Sequence, residues 1–190
     1  MSRLFPIKTL HMRIINRIIP VLRRYKYVLH PNMKLAKGVR IGSRVLMRNW
    51  NGGRIDIGEN SSIEDNAMIL SMGGNISIGS NSSVNPFTVI YGQGGCSIGN
   101  GVRIAAHCTI IPSNHKYMDT SVPIFQQGLI NKGIVIEDDV WIGTGVRVLD
   151  GVRIAKGCVI GAGSVVTKST EPYGVYVGVP AKRIKNRVLD

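Results

Sequence analysis

A chain of 190 residues is long enough to bury one substantial core and short for two domains. Three cysteines do not suggest a disulfide framework, and the charge-free run 66–102 is too rich in Gly, Ser and Asn to cross a membrane. The formal charge of +13 asks for an anionic partner; no nucleic-acid motif accompanies it, so coenzyme phosphates, anionic glycans and an anionic membrane surface rank above nucleic acid.

Residues 10–27, LHMRIINRIIPVLRRYKY, set Ile14, Ile15, Ile18, Ile19 and Leu22 against Arg13, Arg17, Arg23 and Arg24. The pattern predicts an amphipathic helix, kinked or divided at Pro20. Two roles stay open for it: packing on the rest of the molecule or a neighbouring subunit, or lying on an anionic membrane. Scattered Arg and Lys over residues 1–30 interrupt the apolar run that a signal peptide needs, so a cytoplasmic protein is expected.

From Val39 the chain is written in sixes, and the register is clearest over 136–167: IEDDVW, IGTGVR, VLDGVR, IAKGCV, IGAGSV, VT. Every six begins with Ile or Val, and its fifth place is Val, Cys or Ser. Six fits neither the 3.6 period of a helix nor the simple alternation of a flat sheet. One aliphatic and one small residue per six point inward, and each six buries its apolar side only by stacking on the sixes above and below. That is a parallel β-helix, all-β, with three short strands per coil and hence a triangular prism. Earlier, the units 52–72 and 73–93 are 21 residues long and 94–113 is one shorter, so these coils carry small extra corners. Cys108 and Cys158 fall at the small inward place and read as core thiols; Cys96 reads as a corner residue.

The sixes stop over 113–133, SNHKYMDTSVPIFQQGLINKG, a loop long enough inside a compact repeat to be functional or disordered. The expected organisation is a basic helical segment over 1–36, a β-helix over 37–170 with a loop inserted at 112–134, and an extended strand and tail over 171–190. The tail is expected to finish in a short basic helix from Pro180.

The phrases VWIG (140–143), GAGSVVTK (161–168) and GVPAKRIK (178–185), in that order, resemble the hexapeptide-repeat acyltransferases. The likeness is to the galactoside, maltose, xenobiotic and polysaccharide acetyltransferase branch. It implies a left-handed parallel β-helix, a hand that the period alone does not give. It further implies a homotrimer with clefts between prisms, acetyl-CoA as co-substrate, and a carbohydrate acceptor. The family's catalytic His maps onto His115 in NHKYMD, where an imidazole suits removal of a hydroxyl proton. Asp119 fits either an orienting partner for that imidazole or a loop cap. Asn85, where a Gly is expected, resembles the family's acceptor-binding Asn, with a left-handed corner as the other reading. Trp141, at an outward place, lines the acyl and acceptor cleft in the family or else packs on a neighbouring subunit. The resemblance maps coenzyme A contacts onto Thr144, Ala162, Thr167 and Lys168, with Lys182 and Lys185 at basic tail positions that are often Arg in the family. No metal is expected, since the repeat region offers only His107 and His115 where a hexapeptide metalloenzyme needs three converging His. The implied activity is transfer of an acetyl group from acetyl-CoA to a sugar hydroxyl, the loop with its PIFQQG pointing to bacterial capsule or lipopolysaccharide glycans or their precursors. N-acetylation of an amino sugar and a non-catalytic membrane-attached scaffold are the alternatives.

Overall fold

The computed structural model describes residues 23–187. They form a left-handed parallel β-helix of three flat faces. Face A stacks Met33–Leu35, Arg54–Ile57, Asn75–Ile78, Cys96–Ile98, Ile134–Ile136 and Arg153–Ile154. Face B stacks Arg40–Ile41, Ser62–Ile63, Ser83–Val84, Arg103–Ile104, Trp141–Ile142 and Val159–Ile160. Face C stacks Leu46–Arg48, Met68–Leu70, Val89–Tyr91, Thr109–Ile110, Arg147–Val148 and Val165–Val166. Every pairing within these three stacks is parallel, and each inward residue sits on its counterpart in the next coil. Files of Ile, such as Ile41, Ile63, Ile104, Ile142 and Ile160, are thereby stacked at or near zero exposure. Fully burying each of these side chains stabilises the fold by roughly 1.5–3 kcal/mol.

The small inward place does a second job. Thr88 Oγ1 donates to the Ala105 carbonyl at 2.9 Å, and on the next coil Cys108 Sγ donates to the Gly143 carbonyl at 3.1 Å. A thiol there replaces a hydroxyl in the same coil-to-coil bond. Cys96 corrects the sequence reading: it is an inward strand residue between Ile76 and Ile134, buried, not a corner. Burial pushes its thiol up to about 12, and burial is also the main cause of the raised value at Cys108.

Along the inward file Leu35, Ile57, Ile78, Ile98, Ile136 and Ile154, successive coils take 22, 21, 20, 38 and 18 residues. The surplus collects at one prism edge, where face C turns into face A. Glycine pairs stack there so tightly that a Cβ on Gly74 would collide with the Gly92 carbonyl oxygen. The long insertion leaves from this same edge. Asp150 Oδ1 fixes its return, accepting from the backbone N–H groups of Lys132 and Gly133 at 2.9 Å each.

Two other expectations shift. The first rung begins at Met33, a few residues before the expected boundary, because Met33 and Leu35 continue the inward file of Ile55 and Ile57. The tail is a strand, not a helix: Ala181–Asn186 folds back antiparallel on Gly174–Gly178, which itself extends face B. The sequence PAKRIK suits a helix locally, but the open edge of face B supplies a hydrogen-bonding partner that outweighs that preference. Of the helix expected over 10–27, only residues 23–27 are described, and they lie in a helical turn over 23–28. Tyr27 from this turn is buried in the core, its hydroxyl donating to the Val45 carbonyl at 2.7 Å. The remainder of that expectation, including its membrane role, lies outside the described residues. Among the described residues no helix is long and apolar enough to cross a membrane.

Candidate active site

The edge between faces B and C, like that between A and B, repeats from coil to coil without an insertion. On each coil the strand of face B is followed by the same corner. The first corner positions, coil by coil, are Gly42, Glu64, Asn85, Ala105, Gly143 and Gly161, and the second include Ala106, Thr144 and Ala162. The third are Arg44, Asn66, Phe87, His107, Gly145 and Gly163, all with positive φ. Asn85, Thr144 and Ala162, apart in the sequence, therefore line up along one edge.

The side chains there are held by the frame. Asn85 Nδ2 donates to the Ile104 carbonyl at 2.7 Å, which leaves its Oδ1 as the outward-acting group. Asn85 is not a left-handed corner; that conformation belongs to Phe87, two residues on, at φ 60°. Thr144 Oγ1 donates to the Ala106 carbonyl at 2.8 Å, and Ala162 is exposed. Gly143 has no room for a side chain, since a Cβ would meet Ala162 N at 2.7 Å. The upper half of the edge is thus a narrow track of backbone, Gly and small side chains. The tail hairpin ends beside it, because Gly178 N–H donates to Ser164 Oγ at 3.0 Å, and Lys182 pairs with Val177 next to that turn. Lys185 lies farther along the same strand, opposite Val175. Thr167 and Lys168 stand exposed just past the last strand of face C. Trp141 projects from face B between Arg103 and Val159, 57% exposed.

His115 is elsewhere. Residues 113–133 form an arm whose stem is a two-stranded antiparallel ribbon, Asn114–His115 with Leu129–Ile130. A 3-10 turn at Ile124–Gln126 closes its far end. Gln127 Nε2 donates to the carbonyls of Asp119 and Val122, both at 2.7 Å. Asp119 has the cap geometry: its Oδ1 accepts from Ser121 N at 2.9 Å and Ser121 Oγ at 2.6 Å. Those bonds, the hydroxyl first, hold its carboxyl below the usual carboxylate range. His115, Tyr117, Met118, Gln126 and Ile130 help line a cleft of about 640 Å³ within the arm. Tyr117, Met118, Ile124 and Phe125 are all well exposed.

The structure consequently brings the expected residues into two groups, Asn85, Thr144, Ala162 and Lys182 on the B/C edge and His115 with Asp119 on the arm at the C/A edge. Within one chain the width of face C, roughly 15–20 Å at about 3.3 Å per residue, separates the root of the arm from the B/C edge. Sequence reasoning did not group Phe87 with His107. Their rings stack on the B/C edge with centroids 5.0 Å apart and planes 3° apart. The signal was present, since each stands third after an inward residue, Val84 or Ile104, in paired strands.

Residues 133–168 match the family model of the bacterial transferase hexapeptide, six repeats. A probable acetyltransferase of Mycobacterium tuberculosis is 40% identical over 92 residues, 48% of this chain and 31% of that protein. The chain spans well under half the length of such curated relatives. Among solved structures, the N-acyltransferase AntD of Bacillus cereus, in complex with dTDP and 3-hydroxybutyryl-CoA, superposes with a TM-score of 0.73 at 25% identity, covering 88% of this chain and 87% of that one. The polySia-specific acetyltransferase NeuO gives 0.66 at 26% identity, over 83% and 67%.

Proposed function

We propose that this chain, whose residues 133–168 match the bacterial transferase hexapeptide model, is an acetyl-CoA-dependent O-acetyltransferase acting on a sugar hydroxyl of a bacterial capsule or lipopolysaccharide glycan or its precursor. The observation that carries this reading is the alignment of Asn85, Thr144, Ala162 and Lys182 along one edge. A track of backbone and small side chains suits the narrow pantetheine arm of coenzyme A, with Thr144 and Ala162 beside it and Lys182 and Lys168 near its phosphates. The acyl-CoA bound in AntD supports the donor, and the specificity of NeuO supports a glycan acceptor.

His115 is the general base. Its neutral imidazole takes the proton of the acceptor hydroxyl as the oxygen attacks the thioester carbon, and the imidazolium then returns that proton to the departing thiolate. Asn85 Oδ1 is placed to hold a neighbouring hydroxyl, and backbone N–H groups of the cleft face the developing oxyanion. Asp119 braces the arm through Ser121. Because the arm that carries His115 is rooted a face away from Asn85 in one chain, the site is completed between copies: the arm of one prism reaches the B/C edge of the next in a homotrimer. Its exposed Tyr117, Met118, Ile124 and Phe125 then find cover. Supply of acetyl-CoA places the reaction in the cytoplasm, with the Arg-rich N-terminal segment available to an anionic membrane surface.

The test is acetyl transfer from acetyl-CoA to a panel of bacterial glycans, read as release of free thiol and as an acetyl ester on the product. N-acetylation of an amino sugar is the second reading, favoured by the likeness to AntD, and an alkali-stable amide in place of the ester would establish it. Absence of both acetyl-CoA binding and turnover would leave the scaffold reading.

A further inference from the structure

Phe87 and His107 occupy the third corner position on adjacent coils, with φ of 60° and 59°. A left-handed backbone costs a bulky residue about 1–2 kcal/mol, and such strain persists where the surroundings impose it. Side chains at this position leave the prism along its edge, so adjacent ones stack at the coil rise of about 4.8 Å. The two rings accordingly lie parallel, and Phe87 covers one face of the imidazole. On the other face the next coil carries Gly145, where a Cβ would meet nothing nearer than Gly163 at 4.0 Å. That face of the exposed imidazole is open to a third ring.

Arg147 stands beside the opening. It is exposed on face C, and its Nη1 donates to the Gly145 carbonyl at 3.3 Å. Among the described residues no carboxylate lies within 4.0 Å of Arg147, a state it shares with Arg40, Arg44, Arg48 and Arg103. A guanidinium without a carboxylate, next to an open aromatic face, recognises a ring that bears an anionic group: the ring's apolar face stacks and the fork of N–H donors takes the anion. The adenine end of coenzyme A offers the same chemistry, but the tail cation of this edge, Lys182, stands past the last coil, three rungs beyond Gly145.

We propose that this corner is an acidic-sugar subsite: a uronic-acid-type ring of the acceptor glycan stacks on His107 over Gly145, with its carboxylate on Arg147. The inference rests on the acyltransfer reading of the B/C edge and supplies its acceptor class.

The probes are an oligosaccharide of galacturonic acid and its carboxyl-reduced, neutral counterpart, titrated calorimetrically into the full chain with coenzyme A present. The acidic form should bind about tenfold more tightly, the order expected of a charge-assisted hydrogen bond. Arg147→Gln should erase that preference. His107→Gly, which suits a positive φ and so spares the fold, should weaken both forms about five-fold, and His107→Phe should restore them. Affinity for acetyl-CoA should stay unchanged in all three variants. A wild type that binds the two forms alike, or binds neither, overturns the proposal, as does a preference surviving in Arg147→Gln. Weakened acetyl-CoA binding in His107→Gly would assign the ring to the coenzyme and equally overturn it. Failure of the wild type to bind acetyl-CoA would instead remove the acyltransfer reading beneath it.

Discussion

The prism and the arm satisfy their backbones and their apolar side chains in opposite ways. In an interior coil of the prism, Arg103–Ile104 pairs with Ser83–Val84 on one side and Trp141–Ile142 on the other, and Ile104 and Ile142 are fully buried. In the arm, two short strands pair only with each other, and Met118 and Phe125 are about four-fifths exposed. An isolated two-stranded ribbon is marginal in water, so side chains must close the arm: Gln127 onto Asp119 and Val122, Asp119 onto Ser121. The difference separates two requirements that many enzymes mix. The prism supplies stability and a straight, numbered edge, and on the proposed reading the arm supplies the base without contributing to the core.

If that division holds, His115→Ala gives the largest functional effect with the least structural one. Its kcat should fall about 10²–10⁴-fold with an unchanged melting temperature; retention of more than about a tenth of the activity would break the comparison. Mixed oligomers sharpen it by asking whose edge the arm serves. Inactive His115→Ala copies refolded together with inactive Asn85→Ala copies should recover acetyl transfer, and no recovery would return both halves of the site to one chain. The converse substitution belongs to the prism. Ile142→Ala should cost about 2–5 kcal/mol of stability, read from denaturant unfolding, while the folded fraction keeps its kcat; a cost below about 1 kcal/mol would mean that the coils do not act as one core.

The repeat was readable because the physics of each six is local. Ile57, Ile78, Ile136 and Ile154 announce an inward file, and the arm announces itself as a break in it. The misreadings have specific causes. Cys96 directly follows a glycine pair and so reads as a corner, whereas the shortened unit keeps register by the IG after it, which sets Cys96 on Ile76. PAKRIK reads as helical in isolation because an unpaired strand edge on face B leaves no trace in the residues that will cover it. Asp119 suits two roles by its sequence position, and Ser121 on its carboxylate gives it the cap geometry. The gathering of Asn85, Thr144 and Ala162 needs only the coil register, but their distance from His115 depends on which edge the insertion leaves.

Smaller effects sharpen the edges of the comparison. Lys168→Ala should raise the KM for acetyl-CoA by about tenfold at most, with little change in kcat, as for loss of uniform binding. An unchanged KM would detach the top of face C from the donor site. The least effect concerns the Asp119 turn. Its carboxyl is held below the ordinary value of 3.8 by Ser121, so the bonded turn is favoured above that pH and is lost only as the pH falls through the depressed value. The Ser121 amide resonance should therefore titrate with a midpoint below 3.8, and a midpoint at or above it would leave the arm without that brace.

The outermost strand of face B has a consequence for how such molecules coexist in a crowded solution. Parallel rungs at about 4.8 Å are the repeat on which cross-β fibres grow, and the end of a β-helix is in principle a template for the next one. Faces A and C end in strands of two residues, Arg153–Ile154 and Val165–Val166, too short to capture much. Face B ends in the longer Ala181–Asn186, and there the exposed side chains include Lys182, Arg183 and Lys185. Charge on an edge strand discourages head-on stacking of prisms, and it does so through a field that salt screens and a polyanion can neutralise. Lys182 and Lys185 would then have a reason to be cationic even in the absence of any coenzyme: they keep a fold made of repeating units from becoming a longer repeat of itself.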